Sequence, residues 1–210
     1  MIFFKNKFSC HFVETTHSTN LLLTEMVEKK TGDDFSDFFC VATDFQTAAK
    51  AQGNKTWLSN KGENILVSFY FQPPLLPPQQ IYFNYFFALT IRKTLSLYVN
   101  NVMIKKPNDI YVRDKKIAGI LIEHHIQGDK LNYTVAGVGI NINQMQFDEN
   151  LPNPVSLKMI TGETYNREIL LQQIIKTGEK YYNKLKNKSF TELENEYEKY
   201  VRHPFEIDKI

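Results

Sequence analysis

The segment that most constrains this chain is residues 105–123, which read KKPNDIYVRDKKIAGILIE. A polar turn, Pro107-Asn108-Asp109, is followed by a tight hairpin and then by an apolar strand that contains Gly119. A glycine inside a strand costs stability and usually marks a close backbone approach. Because this one hairpin carries an amide, a carboxylate and the ammonium group of Lys116, we expect it to bind a phosphate-containing ligand in an enzyme.

The overall composition is that of an ordinary globular protein. The chain has 210 residues, of which 42% are hydrophobic and 23% charged, and this length suits one large domain with a small appendage. We therefore expect one large domain over residues 1–200 and a tail over residues 201–210. The net charge of +2 lacks the localised basic excess of a sequence-independent nucleic-acid binder, so we expect no nucleic-acid partner.

The cysteines and the hydropathy of the chain favour a cytoplasmic setting. Cys10 and Cys40 lie in apolar context, with no second cysteine or histidine at metal spacing, so we expect buried thiols in a reducing compartment. The N-terminal residues lack the apolar length of a signal peptide. No segment approaches the roughly 20 apolar residues needed to span a bilayer, so we expect no membrane association.

Apolar patterns predict mostly strands early in the chain and helices late. Strands are expected at residues 8–14, 38–42, 64–72, 102–105, 110–112, 117–125 and 131–140. Helices are expected from a cap at Ser18 or Thr19, over residues 79–97, and over residues 167–186 and 190–200. Because hairpins join the middle strands, these elements indicate the α+β class.

Four polar clusters interrupt the strands, at residues 18–20, 46–57, 108–109 with Lys116, and 137–143. One hypothesis is that they converge at strand ends and form one pocket. The alternative is that each cluster is a local cap or turn, because Ser, Thr, Asn and Asp commonly serve as both. Glu123 and His125 share one strand face, but two ligands are too few for a structural zinc site, so no metal site is predicted at these residues.

The same clusters, in the same order, resemble the motifs of the biotin protein ligases. The matching pieces are Ser18-Thr19-Asn20, Gln46-Thr47 with the loop to Trp57, residues 105–112 with 115–123, and residues 137–143. The pairing of K-x-P-N-D with K-x-A-G-I-L-x-E is the specific part of the resemblance. It implies a class II aminoacyl-tRNA synthetase-like α+β fold, with a mixed, mainly antiparallel sheet backed by helices.

The resemblance also implies a two-step reaction. Biotin would be activated by ATP, with Mg²⁺, to biotinyl-5'-adenylate, and then passed to one lysine of a biotin carboxyl carrier domain of an acetyl-CoA carboxylase-type enzyme. A carboxylate does not acylate an amine at neutral pH because its leaving group is too poor. Adenylation supplies the leaving group, while positioning and charge stabilisation lower the barrier.

Two residues are assigned to the chemistry by their match to the family motif. Lys116 would contact the biotin carboxylate and the α-phosphate, whereas Lys115 is expected to be an exposed hairpin lysine, because neighbours in a strand point to opposite faces. Asp109 would orient or deprotonate the acceptor amine, and a metal-binding or hydrogen-bonding role is equally consistent with its charge.

The remaining assignments concern the two substrates. For biotin, Ser18, Thr19 and Gln46 would hydrogen-bond the ureido group, whose polar edge needs partners once buried, and Gly119 would allow the strand to approach. For the nucleotide, the assigned residues are Lys50, Gln52, Lys55, Trp57, Asn108 and Asn141. Trp57 would close a loop over the adenylate; the alternative is an ordinary core anchor.

The sequence departs from the family pattern in three places. The loop that is G-R-G-R-x-G-R-x-W in most relatives reads AKAQGNKTW at residues 49–57, so two glycines are alanine and the arginines are lysine or glutamine. Alanine disfavours positive φ, and lysine lacks the bidentate fork of arginine. Lys106 replaces a tryptophan before Pro107. We expect neither an N-terminal helix-turn-helix nor a C-terminal SH3-like barrel, and the oligomeric state, including a homodimer, stays open.

Three other functions are alternatives to this one. A lipoate protein ligase shares the fold and the adenylation logic, but the motif R-R-x-S-G-G-G of those enzymes is absent from the sequence. A catalytically weakened paralogue that binds biotin or a carrier domain is suggested by the substituted loop at residues 49–55. A nucleic-acid module is disfavoured by the balance of charges.

Overall fold

The structure is a computed structural model that describes residues 9–29, 35–49, 53 and 56–202. Its strands and helices alternate in the first half of the chain, and the last third is helical. The elements are β1 (Cys10–Thr16), α1 (Thr19–Lys29), β2 (Cys40–Gln46), β3 (Ile65–Phe71), α2 (Gln80–Leu95), β4 (Val102–Lys105), β5 (Asp109–Val112), β6 (Lys115–Gln127), β7 (Lys130–Ile140), α3 (Leu157–Thr161), α4 (Arg167–Lys186) and α5 (Phe190–Lys199).

The strands form one seven-stranded sheet in the order β1-β2-β3-β7-β6-β5-β4. Strands β1 and β2 are parallel, and their connection runs through α1, as a parallel pair requires a crossover. The pairs β2/β3, β3/β7, β4/β5 and β5/β6 are antiparallel. The predicted α+β class, with a mixed and mainly antiparallel sheet backed by helices, is confirmed.

The chain divides into two compact units, and the first comprises Met1–Gln80 and Ile120–Ile140. Every residue of β3 is buried, as expected of a strand covered on both faces. Helix α1 covers part of the sheet through Leu23, which packs with Val41, Tyr70 and Val135. Cys10 and Cys40 are buried, free and directly opposite each other in β1 and β2, which confirms the prediction of buried thiols.

The second unit comprises Ile81–Gly119 and Asn141–Ile210. Helix α2 is buried on several sides, because Phe86 packs on Tyr182 of α4 with ring centroids 5.3 Å apart, and Tyr82 stacks on Phe190 of α5 at 4.2 Å. The helix predicted over residues 79–97 spans Gln80–Leu95. After α5, the backbone of Ile104 in β4 pairs with Tyr200 and Arg202 through two hydrogen bonds of 2.8 Å, which cover part of an edge strand.

The predicted boundaries were wrong at several elements. Strands β1 and β2 each begin two residues later than expected; Phe38 has a φ of 69°, which lies outside the β region. Helix α3 was not predicted, although Ser156 caps its N-terminus and Gly162, with φ 80°, ends it. In the described part of the chain, no helix is long and apolar enough to cross a membrane.

Candidate active site

The side chains of Lys116 and Asp109 form an ion pair, with Lys116 Nζ 2.6 Å from Asp109 Oδ1. Asp109 lies opposite Gly119 in the β5/β6 pair, whereas Tyr111 lies opposite Lys116 because the register shifts between Ile110 and Tyr111. A bulge of this kind adds one residue to one strand and reverses the faces beyond it. The shift therefore places the side chain of Lys116 on the same face of the sheet as Asp109. With regular alternation, Lys115 would lie on that face instead.

The contrast between the two neighbouring lysines agrees with the sequence prediction. Lys115 lies opposite Val112 at the hairpin end and is exposed, whereas the side chain of Lys116 is only 26% exposed. The backbone of Lys116 is also held in place, because its N–H donates to Asn153 O at 2.8 Å and its carbonyl accepts from Val155 N at 2.9 Å. These two backbone hydrogen bonds and the ion pair with Asp109 together fix the position of Lys116.

Asn141 carries a buried hydrogen-bond acceptor and contacts Val155, the residue that bonds to the Lys116 carbonyl. Its Nδ2 donates to Val155 O at 3.1 Å, while its Oδ1 has no hydrogen-bond partner among the described residues. A buried acceptor without a donor costs about 1–3 kcal/mol, so a donor from a ligand would be stabilising there. Asn108, the other predicted nucleotide residue of this unit, is half-buried in the turn before β5.

The predicted biotin-binding residues of the first unit are brought together. Ser18 is the N-cap of α1, since its carbonyl accepts from Leu22 N at 3.0 Å. Thr19 follows it, and its backbone N–H donates to Gln46 Oε1 at 2.7 Å. Ser18 and Thr19 are each 4% exposed. The capping role of Ser18 is thus confirmed, and the proposed role in ligand binding is an addition to it.

Sequence reasoning missed three polar residues that contact this group. Ser68 Oγ of β3 lies 2.7 Å from Thr19 Oγ1 and also donates to Asn20 Oδ1. Asn20 Nδ2 in turn donates to Glu123 Oε2 at 2.6 Å and to Leu121 O at 3.3 Å. The sequence signal for Ser68 was a serine inside the otherwise apolar β3, because a buried hydroxyl needs a partner. The signal for Asn20 was its place in the polar cluster of residues 18–20.

Trp57 lies against strand β7. A Cβ added at Gly139 would meet Trp57 Cε2 at 2.5 Å, so the strand can accept the indole only because residue 139 has no side chain. The backbone N–H of Trp57 donates to Ala49 O at 3.1 Å, which closes the loop between them. The predicted nucleotide residues Lys50, Gln52 and Lys55 lie outside the described residues.

The departure at Lys106 is accommodated by helix α5. Lys106 Nζ lies 2.8 Å from Glu198 Oε1 and 5.8 Å from the ring centroid of Tyr197. Both partners of the ion pair are substantially exposed, at 53% and 42%, so the pair contributes little stability, about 0–1 kcal/mol. A lysine at this position therefore has its own neighbours in place of the packing that a tryptophan would provide.

The histidines of β6 have ordinary packing partners. His124 Nδ1 lies 2.9 Å from Thr134 Oγ1, and burial lowers the pKa of His124 to about 4, with the neighbouring His125 as a second cause. The His125 ring stacks on Tyr133 at 4.1 Å. Among the described residues, no group of three or more His, Cys, Asp or Glu side chains could hold a metal ion.

The fold is that of the biotin protein ligase structures. A biotin protein ligase from Aquifex aeolicus in complex with biotin and ATP matches with a TM-score of 0.75 and 25% identity, over 94% of this chain and 79% of that chain. A biotin protein ligase from Leishmania major in complex with biotinyl-5-AMP shares the fold with a TM-score of 0.74 and 22% identity, over 96% of this chain and 84% of that chain.

The chain belongs to the Biotin/lipoate A/B protein ligase family, whose model matches residues 14–141. The bifunctional ligase/repressor BirA of Bacillus subtilis is 30% identical over 168 residues, which are 77% of this chain and 51% of that protein. The chain thus spans about half the length of the curated relatives that it matches.

Proposed function

We propose that this chain carries the ligase activity that activates biotin with ATP to biotinyl-5'-adenylate and transfers biotin to one lysine of a carrier domain. The observation that carries the proposal is the ion pair between Lys116 and Asp109 at 2.6 Å, built by the register shift in β5/β6. An ammonium group held next to a carboxylate on a hairpin can exchange that partner for a phosphoryl oxygen and stabilise the charge that develops there.

In this proposal, Lys116 acts in both half-reactions. In the first, the biotin carboxylate attacks the α-phosphate and diphosphate leaves. In the second, the amine of the carrier lysine attacks the acyl carbon and AMP leaves. Both steps concentrate negative charge on α-phosphate oxygens, so one fixed cation lowers both barriers. Asn141 would bind the nucleotide, since its buried Oδ1 lacks a donor within the described residues.

Asp109 and Asn108 would lie near the Mg²⁺ that accompanies ATP. The ion prefers oxygen ligands and is typically held by one or two carboxylates together with substrate phosphates. Asp109 offers one carboxylate, and Asn108 precedes it with an amide oxygen. When bound, Mg²⁺ would supply charge neutralisation to the phosphates of ATP. A second role for Asp109, orientation or deprotonation of the acceptor amine, belongs to the same proposal.

Ser18, Thr19 and Gln46 would bind the ureido group of biotin, with Gly119 allowing close approach of strand β6. Trp57 would cover the nucleotide together with Lys50, Gln52 and Lys55. The macromolecular partner would be the biotin carboxyl carrier domain of an acetyl-CoA carboxylase or a related enzyme. Two buried free thiols fit a cytoplasmic compartment, and the near-neutral charge balance favours no nucleic-acid partner.

The proposal is tested by incubating the protein with ATP, Mg²⁺ and either biotin or lipoate, and by measuring diphosphate release and adenylate formation. We expect release with biotin and none with lipoate. Activity with lipoate alone would contradict the proposal in favour of a lipoate ligase. Binding of biotin without adenylate formation would instead favour the weakened paralogue suggested by the substituted loop at residues 49–55.

A further inference from the structure

A continuous line of polar side chains runs through the first unit behind Thr19. It consists of Thr19, Ser68, Asn20 and Glu123, in that order of contact. Thr19 and Asn20 are each 4% exposed, and Ser68 is fully buried. Buried polar side chains are stable only when their hydrogen bonds are satisfied, so the positions of the protons along this line can be worked out from the partners.

The amide of Asn20 has only one consistent orientation. Its Nδ2 lies 2.6 Å from Glu123 Oε2 and 3.3 Å from Leu121 O, and both of these atoms are acceptors. The nitrogen therefore uses its two protons there, and Asn20 Oδ1 faces Ser68 Oγ. Because an amide oxygen only accepts, the single hydroxyl proton of Ser68 must be donated to Asn20.

The direction of the next hydrogen bond follows. Ser68 has given its proton to Asn20, so the 2.7 Å contact between Ser68 Oγ and Thr19 Oγ1 requires that Thr19 be the donor. The Thr19 proton is thus directed into the protein, and Thr19 Oγ1 can act towards a ligand only as an acceptor. The oxygen of the Gln46 amide faces Thr19, because Gln46 Oε1 accepts from the Thr19 backbone N–H at 2.7 Å and lies 3.2 Å from Thr19 Oγ1. Gln46 Nε2 is therefore the donor that this amide can offer to a ligand.

We infer that Asn20, Ser68 and Glu123 are positioning residues that set the substrate specificity of this site through the proton direction of Thr19. One acceptor, Thr19 Oγ1, and one donor, Gln46 Nε2, are complementary to an N–H and the C=O of a cyclic urea. The dithiolane ring of lipoate offers neither group. The inference rests on the proposed function, because it takes the ureido ring of biotin as the ligand of Thr19 and Gln46.

Gly137 completes the arrangement. It lies opposite Ser68 in the β3/β7 pair, and a Cβ added there would meet Asn20 Oδ1 at 2.1 Å. The absence of a side chain at residue 137 is what allows the Asn20 amide to reach both Ser68 and Glu123. The Asn20 side chain is therefore held by packing against β7 as well as by its hydrogen bonds. The sheet thus helps to fix the direction of the hydrogen bonds between Thr19 and Glu123.

The test compares biotin with its two cyclic carbamate analogues, in each of which an oxygen replaces one ureido N–H. Dissociation constants are measured by calorimetry on the unaltered protein and on Ser68→Ala. In the unaltered protein, at least one analogue should bind about tenfold or more weakly than biotin, because its ring oxygen meets a second acceptor. In Ser68→Ala, the Thr19 hydroxyl loses its 2.7 Å partner and keeps only the longer contact to Gln46 Oε1 at 3.2 Å. It can then turn and donate to the ring oxygen of the analogue, so this discrimination should fall to within about threefold.

A matched control is Thr134→Val, which removes another buried hydroxyl of the same unit, the partner of His124 Nδ1. Thr134→Val should keep the discrimination of the unaltered protein. Loss of discrimination in Ser68→Ala would then not be a general effect of removing a buried hydroxyl. Because Ser68→Ala is a core substitution, two variants at the half-buried Glu123 give a second measurement. Glu123→Gln retains an acceptor for Asn20 and should keep the discrimination. Glu123→Leu leaves only Leu121 O to orient the Asn20 amide and should weaken the discrimination.

Two results would overturn the inference while leaving the proposed function intact. One is that the unaltered protein binds biotin and both carbamate analogues equally well. The other is that Ser68→Ala and Glu123→Leu bind biotin and retain the full discrimination. If the unaltered protein binds no biotin at all, the proposed function fails, and the inference falls with it.

Discussion

Asp109 and Lys116 face each other at 2.6 Å although they stand on strands whose regular alternation would keep their side chains on opposite faces. The shift of register between Ile110 and Tyr111 reverses the faces of β6 beyond that point. The register shift therefore brings Lys116 and not Lys115 onto the face of Asp109, and it accounts for the different surroundings of these two adjacent lysines.

Replacement of Lys116 by alanine should abolish adenylation while the fold is retained. The lost ammonium group would otherwise neutralise the α-phosphate, and the loss of one such stabilising group costs about 10²–10³-fold in rate. Diphosphate release with biotin and ATP measures the effect. Lys115→Ala is the matched control, because Lys115 is exposed on the other face, and it should stay near the original rate. Near-normal turnover in Lys116→Ala would refute the assigned role.

Replacement of Asp109 by asparagine should raise the Mg²⁺ concentration that gives half-maximal adenylation. The amide keeps the size of the side chain but has lost the charge that the ion would share with the phosphates. The rate is followed as Mg²⁺ is titrated at saturating ATP. Asp114→Asn changes an exposed carboxylate in the hairpin turn and should leave the Mg²⁺ requirement unaltered. An unchanged requirement in Asp109→Asn would exclude the metal-binding role.

Substitution of Gly139 by alanine should displace the indole of Trp57, because the new methyl group would meet Trp57 Cε2 at 2.5 Å. Trp57 is the single tryptophan of the chain, so intrinsic fluorescence reports this site alone. The emission of the free protein should change, and the affinity for ATP should fall. Gly137→Ala makes the same change two residues away but meets Asn20, so its emission should match that of the unaltered protein. Identical spectra for both variants would contradict the packing described.

Acidification should destabilise the protein partly through His124. Its pKa is lowered to about 4 by burial, whereas the unfolded chain binds the proton near 6.5. Between these values the unfolded state binds more protons, so the free energy of unfolding falls as the pH falls from about 6.5 to 4. Between pH 7 and pH 5, the free energy of unfolding should fall by about 1–2 kcal/mol less in His124→Gln than in the unaltered protein, after allowance for the partial exposure of His124. Denaturant titrations of both proteins at pH 7 and pH 5 measure the free energy of unfolding. Equal falls in the two proteins would contradict this prediction.

Much of the fold could be predicted because its signals are local. Helix α4 begins and ends where the apolar stripe of residues 167–186 predicted, and Asn166 caps it with hydrogen bonds to Glu168 and Ile169. Strand β4 was also predicted to the residue. Helix α3 escaped prediction because five residues carry too little periodicity to be recognised.

The sequence by itself determined the family motifs, the class of the fold, and the choice of Lys116, Asp109, Thr19 and Gln46 as candidates, since residue types and their order carry that information. Only the tertiary structure decided the register shift beside Lys116 and the line from Thr19 to Glu123. That line joins residues up to 103 positions apart in the chain. The direction of each hydrogen bond in it depends on which partner is already satisfied, and no local pattern in a sequence can encode this.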